Sequence, residues 1–353
     1  MVSRGDGFWL LVSAVAAALA LGTYRRRIRL PRPDSGPAGG SLPPLSVVVP
    51  ARNEGPNLRR LLPSLRAQVY PGRLEVLVVS DGSTDDTEGT ARAFGARVLR
   101  VSGPPPGWLG KPYAAHRGAL AAGGEWLLFT DADTLHRPGT AAGAVAFALR
   151  LGLDALSLLP RAETGSAPEA AALAVALAGL FAGSSRPESL ANGQFLLVRR
   201  EAYLAAGGFE AVRAEILEDV ALGRRLRAAG YRHLLADGRT LVSVRAAPGF
   251  GGLLAALARW TLALGPDGPG LLAAALTAGL AAPLGLLLRH PGMGLLGWGL
   301  AAVGLLPWTR ELGRPGAALL APLGALAVVG SALWGRAAVT LGSGVLWKGR
   351  RVR

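Results

Sequence analysis

The chain shows two patterns of apolar residues: short runs that alternate with polar segments in its middle, and long runs with few charges towards both ends. Short Val/Leu runs bounded by turn residues predict buried strands, and the mixed segments between them predict helices. The predicted strands are 45–50, 74–81, 96–101 and 125–131, and the predicted helices are 56–68, 83–95, 111–122 and 215–231. Ser83 and Thr84 are the expected N-cap residues of the second helix. Such alternation implies parallel βαβ units that bind ligands beyond the carboxyl ends of the strands.

Four long apolar segments indicate a membrane protein. The first, Phe8 to Gly22, is slightly shorter than the roughly 20 residues of a spanning helix, and a cleaved signal peptide ending near "ALA" at 18–20 is the alternative. The basic cluster "YRRRIRLPR" follows it directly and favours a retained anchor that leads into the cytoplasm. The later segments are 269–289, 293–309 and 316–335. A soluble helical domain is the alternative for these, but their uncharged stretches favour the bilayer.

The predicted segments do not give a consistent membrane topology. A cytoplasmic middle domain followed by three spans puts the C-terminus outside, whereas the basic tail "WKGRRVR" favours the cytoplasm. One C-terminal segment is therefore expected to lie in the interface or to re-enter, and the sequence leaves open which. We expect a multi-pass protein of a bacterial inner membrane with its middle domain in the cytoplasm.

These patterns predict an ordered set of regions. They are an anchor helix at 1–24, a basic Pro/Gly linker at 25–43, a cytoplasmic α/β domain at 44–245, an interfacial segment at 246–268, transmembrane helices at 269–337 and a basic tail at 338–353.

Charge and cysteine content narrow the possible partners. The net charge of +15, from 38 Lys and Arg against 23 Asp and Glu, is compatible with nucleic-acid binding. Many of the arginines flank apolar segments, however, where they meet anionic lipid headgroups, and no nucleic-acid motif is recognisable. Nucleic acid is therefore not an expected partner. The chain has no Cys, which excludes disulfides and thiolate metal sites, and its oligomeric state is left open.

Acidic residues follow several predicted strands. In "WLLFTDADTLH" the apolar run is followed by Asp131 and Asp133, which are separated by one residue. Both carboxylates can therefore bind the same ion. Without nearby His or Cys, paired carboxylates suit Mg²⁺ or Mn²⁺, whose coordination substrate phosphates complete. A solvated turn is the alternative for this pair.

The loops after the first two strands contribute further acids. Glu54 and Asp81, the latter beside Gly82, suit hydrogen bonds to a ribose or a base. An ordinary loop acid and a helix cap are the alternatives. Since the carboxyl ends of neighbouring parallel strands meet at one edge of a sheet, these acids and the Asp131 pair are expected to converge on one crevice.

Charged residues also begin two predicted helices. Lys111 opens the helix at 111–122, where a helix N-terminus favours a phosphate. Glu218 and Asp219 stand in the first turn of the helix at 215–231, where they also complement the helix dipole.

Four motifs, in this order, resemble the family 2 glycosyltransferases of the nucleotide-diphospho-sugar transferase fold, a Rossmann-like α/β fold also called GT-A. "SVVVPARNE" and "VVSDGSTDDT" resemble the donor loops, "FTDADT" the metal motif and "LEDVALGRRLRAAGY" the acidic catalytic motif. The resemblance covers about residues 44–245. "PPGWLGKPYAAHRGA" and "VLWKGR" are most similar to membrane enzymes of this family that act on lipids, namely the carotenoid (diaponeurosporenoate-type) and hopanoid-associated glycosyltransferases.

The resemblance implies roles for individual residues. The implied nucleotide contacts are Pro50, Ala51, Arg52, Glu54, Asp81, Gly82, Lys111 and Asp131. Asp131 and Asp133 match the metal motif, with Asp133 as the direct ligand, and Asp219 matches the catalytic base with Glu218 as its partner. The residues implied on the donor-sugar and acceptor side are Asn192, Gly193, Gln194, Arg259 and Trp260.

The implied reaction is inverting, metal-dependent transfer of a sugar, with UDP-glucose as the expected donor, to a lipid or isoprenoid acceptor such as a carotenoid. The chain departs from related patterns near Arg259 and Trp260. "ALARW" keeps only these two residues of a Gln-x-x-Arg-Trp motif found in polymer-forming relatives, and "RWTLALG" matches the carotenoid-type stretch only in part. A processive polysaccharide synthase and a non-enzymatic membrane scaffold with a relict sugar-nucleotide domain are the alternatives.

Overall fold

The computed structural model describes residues 4–34, 40–184, 186, 189–245, 247, 249–262, 268–347 and 350–352. Parts of the predicted anchor, linker, interfacial segment and tail (1–3, 35–39, 246, 248, 263–267, 348–349 and 353) lie outside the described residues. The strands are β1 (Leu45–Ala51), β2 (Leu74–Asp81), β3 (Arg97–Val101), β4 (Trp126–Thr130), β5 (Thr134–His136), β6 (Ala155–Leu159), β7 (Arg161–Glu163), β8 (Phe195–Arg199), β9 (His233–Asp237), β10 (Val242–Arg245), β11 (Val345–Trp347) and β12 (Arg350–Val352). The helices are α1 (Arg4–Ile28), α2 (Gly55–Arg66), α3 (Thr87–Ala93), α4 (Gly110–Ala121), α5 (Thr140–Leu151), α6 (Ala167–Ala182), α7 (Arg200–Ala205), α8 (Glu218–Ala228), α9 (Gly249–Leu262), α10 (Gly268–Arg289), α11 (Pro291–Glu311) and α12 (Ala321–Thr340), with short 3₁₀ helices at Gly208–Val212 and Pro315–Leu320.

The chain forms two compact units. The sheet unit comprises Leu30–Arg161 and Glu188–Val244, and the helical unit comprises Met1–Arg29, Ala162–Pro187 and Arg245–Arg353. The segment Ala162–Pro187 falls inside the stretch 44–245 that was expected to form one domain, and it groups with the terminal helices.

A seven-stranded sheet with the order β3-β2-β1-β4-β8-β6-β9 forms the centre of the sheet unit. β1 pairs in parallel with both β2 and β4, and β2 pairs in parallel with β3, which confirms the predicted βαβ arrangement for this half of the sheet. The other half is mixed, because β8 is antiparallel to both β4 and β6. β1 therefore lies between β2 and β4, so the loops that follow these three strands are neighbours.

Both faces of the sheet are buried, as expected for a parallel sheet covered by helices. Val47 and Val49 of β1 belong to one hydrophobic cluster, and Val48 between them belongs to the cluster on the opposite face. On the Val48 face α4 approaches β1 closely, since a Cβ at Gly118 would lie 2.4 Å from Val48 Cγ1 and 2.9 Å from Val79 Cγ2. This close packing fixes where the N-terminus of α4, with Lys111, meets the sheet edge.

The predicted N-cap of the second helix is wrong. α3 begins at Thr87 and Asp86 occupies the cap position. Ser83 and Thr84 instead join the two loops after β1 and β2: Asn53 N–H donates to Ser83 Oγ at 3.1 Å, and Thr84 N–H donates to Asn53 Oδ1 at 2.8 Å. A tertiary contact has replaced the local hydrogen bond that a cap would make.

In the helical unit, α1 and α11 run in the same direction. Asp6 near the start of α1 pairs with His290 beside the start of α11 (Oδ2 to Nε2, 2.8 Å), and Arg27 near the end of α1 pairs with Glu311 at the end of α11 (Nη2 to Oε1, 3.1 Å). The Arg27 side chain is fully buried, which is tolerated because an opposite charge meets it. α10 ends directly before α11 begins, at the end of the unit where α1 and α11 both start, so it runs in the opposite direction to them.

Three helical segments within the described residues are long and apolar enough to cross a membrane: Gly5–Ile28, Pro291–Glu311 and Pro315–Thr340. They correspond to the predicted segments at 8–22, 293–309 and 316–335. The fourth predicted segment, 269–289, is helical as α10, with an apolar stretch at Ala273–Arg289. Small residues allow the helices to touch, since a Cβ at Gly304 of α11 would lie 2.7 Å from the Cα of Ala17.

Candidate active site

The loops after β1 and β2 form one continuous wall at the carboxyl edge of the sheet. Pro50 and Ala51 complete β1, and Arg52 Nη1 donates to the main-chain oxygen of Asp81 at the end of β2 (2.8 Å). Gly82 follows with a φ of 60°, in the left-handed region that favours glycine. Together with the Asn53 contacts to the second loop, this arrangement holds six predicted nucleotide contacts, Glu54 included, in a single wall.

The two acids of this wall are buried rather than solvated. Glu54 is 8% exposed and accepts a hydrogen bond from Asn57 Nδ2 at 2.7 Å, while its own N–H donates to Thr87 Oγ1 at 2.8 Å. Asp81 is 3% exposed. Buried carboxylates beside a glycine turn suit fixed hydrogen-bond acceptors for a sugar or a base.

Lys111 joins the predicted metal motif to the predicted catalytic motif. Its Nζ lies 2.8 Å from Asp131 Oδ1 and 3.0 Å from Glu218 Oε1. Burial favours the neutral amine, but the carboxylates of Asp131, Glu218 and Asp219 outweigh it and hold the pKa of Lys111 well above its usual value. The motifs at 129–134 and 217–231, almost ninety residues apart in the chain, therefore meet at one amine.

Asp133 completes the acidic cluster and has a buried oxygen without a partner. Within the described residues, Asp133 Oδ1 is buried and has no hydrogen-bond partner. Burial, with the neighbouring Asp131 charge, raises the pKa of Asp133 to about 7 even though Lys111 acts against this. A buried carboxylate oxygen aimed at no donor has the chemistry of a cation ligand.

The carboxylates fit a hard divalent cation whose coordination is shared with a substrate. Among the residues that the structure describes, no three His, Cys, Asp or Glu side chains are grouped as a metal site. Asp133, and Asp131 once Lys111 releases it, would supply part of the coordination shell. Mg²⁺ and Mn²⁺ sites of this type are completed by water and by phosphate oxygens.

Glu218 and Asp219, at the start of α8, have different surroundings. Glu218 is 6% exposed, and its burial, together with the Asp219 charge, raises its pKa to about 7 against the effect of Lys111. Asp219 Oδ2 accepts the N–H of Gly193 at 2.6 Å, and its Oδ1 accepts the N–H of Val220 at 2.8 Å. Backbone donors therefore fix the orientation of Asp219, whereas Lys111 faces Glu218.

The segment 192–194 closes on Asp219. A Cβ at Gly193 would lie 3.1 Å from Asp219 Oδ2, so glycine is what lets the main chain approach the carboxylate. Asn192 Nδ2 donates to the main-chain oxygen of Leu158 at 3.2 Å, and its Oδ1 accepts the N–H of Gln194 at 3.1 Å. These contacts bring three of the predicted donor-sugar residues to the acidic cluster.

A buried polar network behind the metal motif was not anticipated from the sequence. Thr134 Oγ1 donates to the main-chain oxygen of Asp131 at 2.8 Å, and Thr130 Oγ1 donates to the main-chain oxygen of Gln194 at 2.8 Å. Both hydroxyls lie within 3.1 Å of His136 Nε2. Burial lowers the pKa of His136 to about 3, so this ring is neutral and structural. The two threonines that flank "DAD" in the sequence were the signal from which this network could have been predicted.

Arg259 and Trp260 lie on α9, in the helical unit. Both are half-buried, and Arg259 Nη1 donates to the main-chain oxygen of Ala255 in the same helix at 3.4 Å. Their predicted role on the acceptor side stays a prediction.

The chain is similar to several known proteins. Residues 46–171 match the model of the family described as "Glycosyl transferase family 2". The 4,4'-diaponeurosporenoate glycosyltransferases of Staphylococcus aureus strains MRSA252 and USA300 are 32% and 31% identical to this chain over 189 residues. The alignment covers 51% of this chain and 50% of each relative, so the chain matches about half the length of these curated relatives.

A solved structure shares the fold. The mannosyltransferase PcManGT from Pyrobaculum calidifontis, determined in complex with GDP-Man and Mn²⁺, superposes with a TM-score of 0.61 at 21% identity. The superposition covers 93% of this chain and 99% of that one. The chain therefore shares its α/β fold with this glycosyltransferase, and residues 46–171 resemble the family 2 glycosyltransferases.

Proposed function

We propose that the protein is a membrane-bound glycosyltransferase that transfers a sugar from a nucleotide-sugar to a lipid acceptor of the isoprenoid or carotenoid class. The observation behind this proposal is the meeting of Asp131 and Glu218 at Lys111, beside the unpartnered oxygen of Asp133. The reaction needs a cation, a diphosphate and an acceptor base together at one point. Asp131 and Asp133 suit the cation, and Lys111 suits the diphosphate. Asp219, beside Glu218, suits the base. The names of the relatives support a carotenoid-like acceptor.

The donor would bind along the wall formed by the loops after β1 and β2. Arg52, Glu54 and Asp81 offer the charged and accepting groups that a uridine and its ribose require, and we propose UDP-glucose as the donor. Its diphosphate would lie at the N-terminus of α4, where Lys111 can exchange a carboxylate partner for a phosphate oxygen. Lys111 is thus expected to move when the donor binds.

The chain's own residues account for the proton transfer in this scheme. Asp219, oriented by the main chain of Gly193 and Val220, would remove the proton from an acceptor hydroxyl as that oxygen attacks the anomeric carbon. A single displacement with one base inverts the anomeric centre. Glu218 would hold Lys111 in place, and a cation bound by Asp131 and Asp133 would stabilise charge on the leaving diphosphate.

The two alternative functions are less well supported. A relict scaffold gains nothing from keeping Glu218 and Asp133 buried beside other carboxylates, because such like charges lower stability. A processive synthase needs a translocation path, and only part of the corresponding Arg-Trp motif is present at Arg259 and Trp260. The length of the product distinguishes a polymer from a single transfer.

The membrane arrangement we propose resolves the conflict over the C-terminus. Arg25, Arg26 and Arg27 close α1 and are expected on the cytoplasmic side. Since α11 runs parallel to α1, it would also end there, and α12 would begin there.

α12 would then lie in the membrane interface instead of crossing. It packs on α6 and α9, since a Cβ at Gly324 would lie 2.8 Å from the carbonyl carbon of Ala171, and one at Gly335 would lie 2.8 Å from the carbonyl oxygen of Ala258. Beside this contact it exposes large apolar side chains at helical spacing, which suits a helix lying along the acyl chains. The exposed residues are Leu323, Leu326, Leu333 and Trp334. The basic tail that follows α12 would remain cytoplasmic.

Replacing the proposed base separates chemistry from binding. In membranes supplied with labelled UDP-glucose and Mn²⁺, Asp219→Asn should lower transfer of label into the organic-soluble lipid fraction about 100- to 10,000-fold, the range of general-base catalysis, and leave UDP binding unchanged. Glu201→Gln, at an exposed acid of α7, is the control and should transfer normally. Normal transfer by Asp219→Asn would remove it from this role, and label in a high-mass water-soluble product would favour the polymer synthase.

Cation binding should be visible as a change in stability. Burial and Asp131 raise the pKa of Asp133 from its ordinary value of about 4 to about 7, so the cation-free fold loses stability between these two pH values and the loss is complete above the higher one. At pH 8 Asp133→Asn should therefore raise the melting temperature without Mn²⁺ and abolish the rise that Mn²⁺ with UDP gives the wild type. Glu201→Gln should leave both values unchanged. An undiminished response to Mn²⁺ in Asp133→Asn would show that the cation binds elsewhere.

The absence of Cys in the chain allows the topology to be tested with single cysteines. Cys at Gly292, in the first turn of α11, should react with an impermeant maleimide added to intact cells. Cys at Gly316, before α12, and at Ser343, after it, should react only after permeabilisation. A Cβ at Gly292 or Gly316 would meet no atom within 4 Å, so both changes are tolerated. Labelling of Ser343→Cys in intact cells would mean that α12 crosses the membrane.

A further inference from the structure

An apolar groove lies within the helical unit, between α6, α9 and α12. Its volume is about 560 Å³, within the range of roughly 300–1,000 Å³ that small-molecule sites occupy. Among the side chains that line it are Phe250, Leu254, Leu323, Leu326 and Trp334. Leu323, Leu326 and Trp334 are each about half exposed, at 45%, 53% and 51%. The groove is therefore open along the face of α12 that we place against the acyl chains.

One polar atom in the groove is unsatisfied. Ser331 lines the groove, is 4% exposed, and its Oγ has no hydrogen-bond partner within the described residues. A serine in a helix usually returns its hydroxyl to the carbonyl four residues earlier, as Thr277 does to Ala273 in α10 at 2.8 Å. A buried hydroxyl without a partner is costly in an apolar setting, so an oxygen of a bound molecule would stabilise it.

The glycine next to Ser331 leaves room for an occupant. Gly330 also lines the groove, and a Cβ built there would meet no atom within 4 Å. Large apolar side chains on both sides of this gap produce a slot with one hydrogen-bonding point along an otherwise apolar length. A bilayer-dissolved chain that carries an oxygen function matches this chemistry, whereas a nucleotide or a free sugar does not.

We propose that this groove is the binding site for the long apolar chain of the acceptor lipid, with Ser331 donating a hydrogen bond to an oxygen of that molecule. The inference rests on the proposed function, because it takes the occupant to be the acceptor and not a bulk phospholipid. The groove would hold the hydrocarbon chain at the membrane face, and so select for chain type independently of the sugar donor.

Binding can be measured without turnover, using full-length protein in nanodiscs and two fluorescent polyenes. Parinaric acid has a carboxyl group, and diphenylhexatriene has no polar group. The signal is energy transfer from Trp334 to the bound probe. It is obtained by measuring each variant with Trp334 present and again with Trp334→Phe, and subtracting the second value from the first. Gly330→Leu, which fills the slot, should weaken both probes about 10-fold or more, because the added carbons displace buried apolar contact. Ser331→Ala should weaken only parinaric acid, about 3- to 10-fold, the effect of one lost hydrogen bond.

Gly299→Leu is the matched control. Gly299 is an exposed glycine of α11 and is not among the groove residues. As at Gly330, a Cβ built there would meet no atom within 4 Å. Binding equal to wild type in this variant, with loss in Gly330→Leu, supports the groove. Equal probe binding by the wild type, Gly330→Leu and Gly299→Leu would overturn the proposal and leave ordinary lipid contact as the explanation.

A kinetic measurement links the groove to the acceptor. In the organic-extraction assay Gly330→Leu should raise the KM for acceptor and leave the KM for UDP-glucose unchanged. Lost probe binding with an unchanged acceptor KM would refute the assignment of the groove to the acceptor. If the wild-type protein binds the probes but transfers no sugar to lipid, the proposed function has failed and the groove has not, so the two failures are distinguishable.

Discussion

The rest of the site depends on one electrostatic constraint: four carboxylates have been brought around the amine of Lys111 at the edge of a buried sheet. Like charges out of water repel strongly, and one ammonium cannot balance four carboxylates. The pKa values of Asp133 and Glu218 are consequently raised to about 7. A protein keeps such a cluster where positive charge arrives with a ligand, and a divalent cation bound to a diphosphate donor meets that need.

The scaffold that creates this constraint is simple. β1 lies between β2 and β4, so the loops that follow these three neighbouring strands must share one edge. α4 is packed against β1 through Gly118, which brings Lys111 to that edge. Gly193 allows the main chain of the segment 192–194 to approach Asp219. The glycines therefore set the distances, and the charged residues set the chemistry.

Local patterns in the sequence predicted much of this and missed what depends on tertiary contacts. The parallel strands and the acids at their ends follow from Val/Leu runs and from the position of each acid after a run. The partners of Lys111 do not, because Asp131 and Glu218 meet it only in the folded chain. Ser83 was misassigned as a helix cap for the same reason, since its hydroxyl accepts from Asn53 of another loop. The grouping of α6 with the terminal helices was likewise not predicted, because its alanine-rich sequence suits a soluble core as well as a membrane-associated one.

The central claim is that the buried carboxylates hold a cation that in turn holds the donor diphosphate. Its most direct test is a structure of the full chain with UDP and Mn²⁺, in which anomalous scattering locates the manganese. The account predicts a manganese peak in contact with Asp133, a diphosphate on that ion, and Lys111 moved from Asp131 to a phosphate oxygen. Bound UDP with manganese away from Asp131 and Asp133, or with Lys111 still paired to both carboxylates, would contradict it.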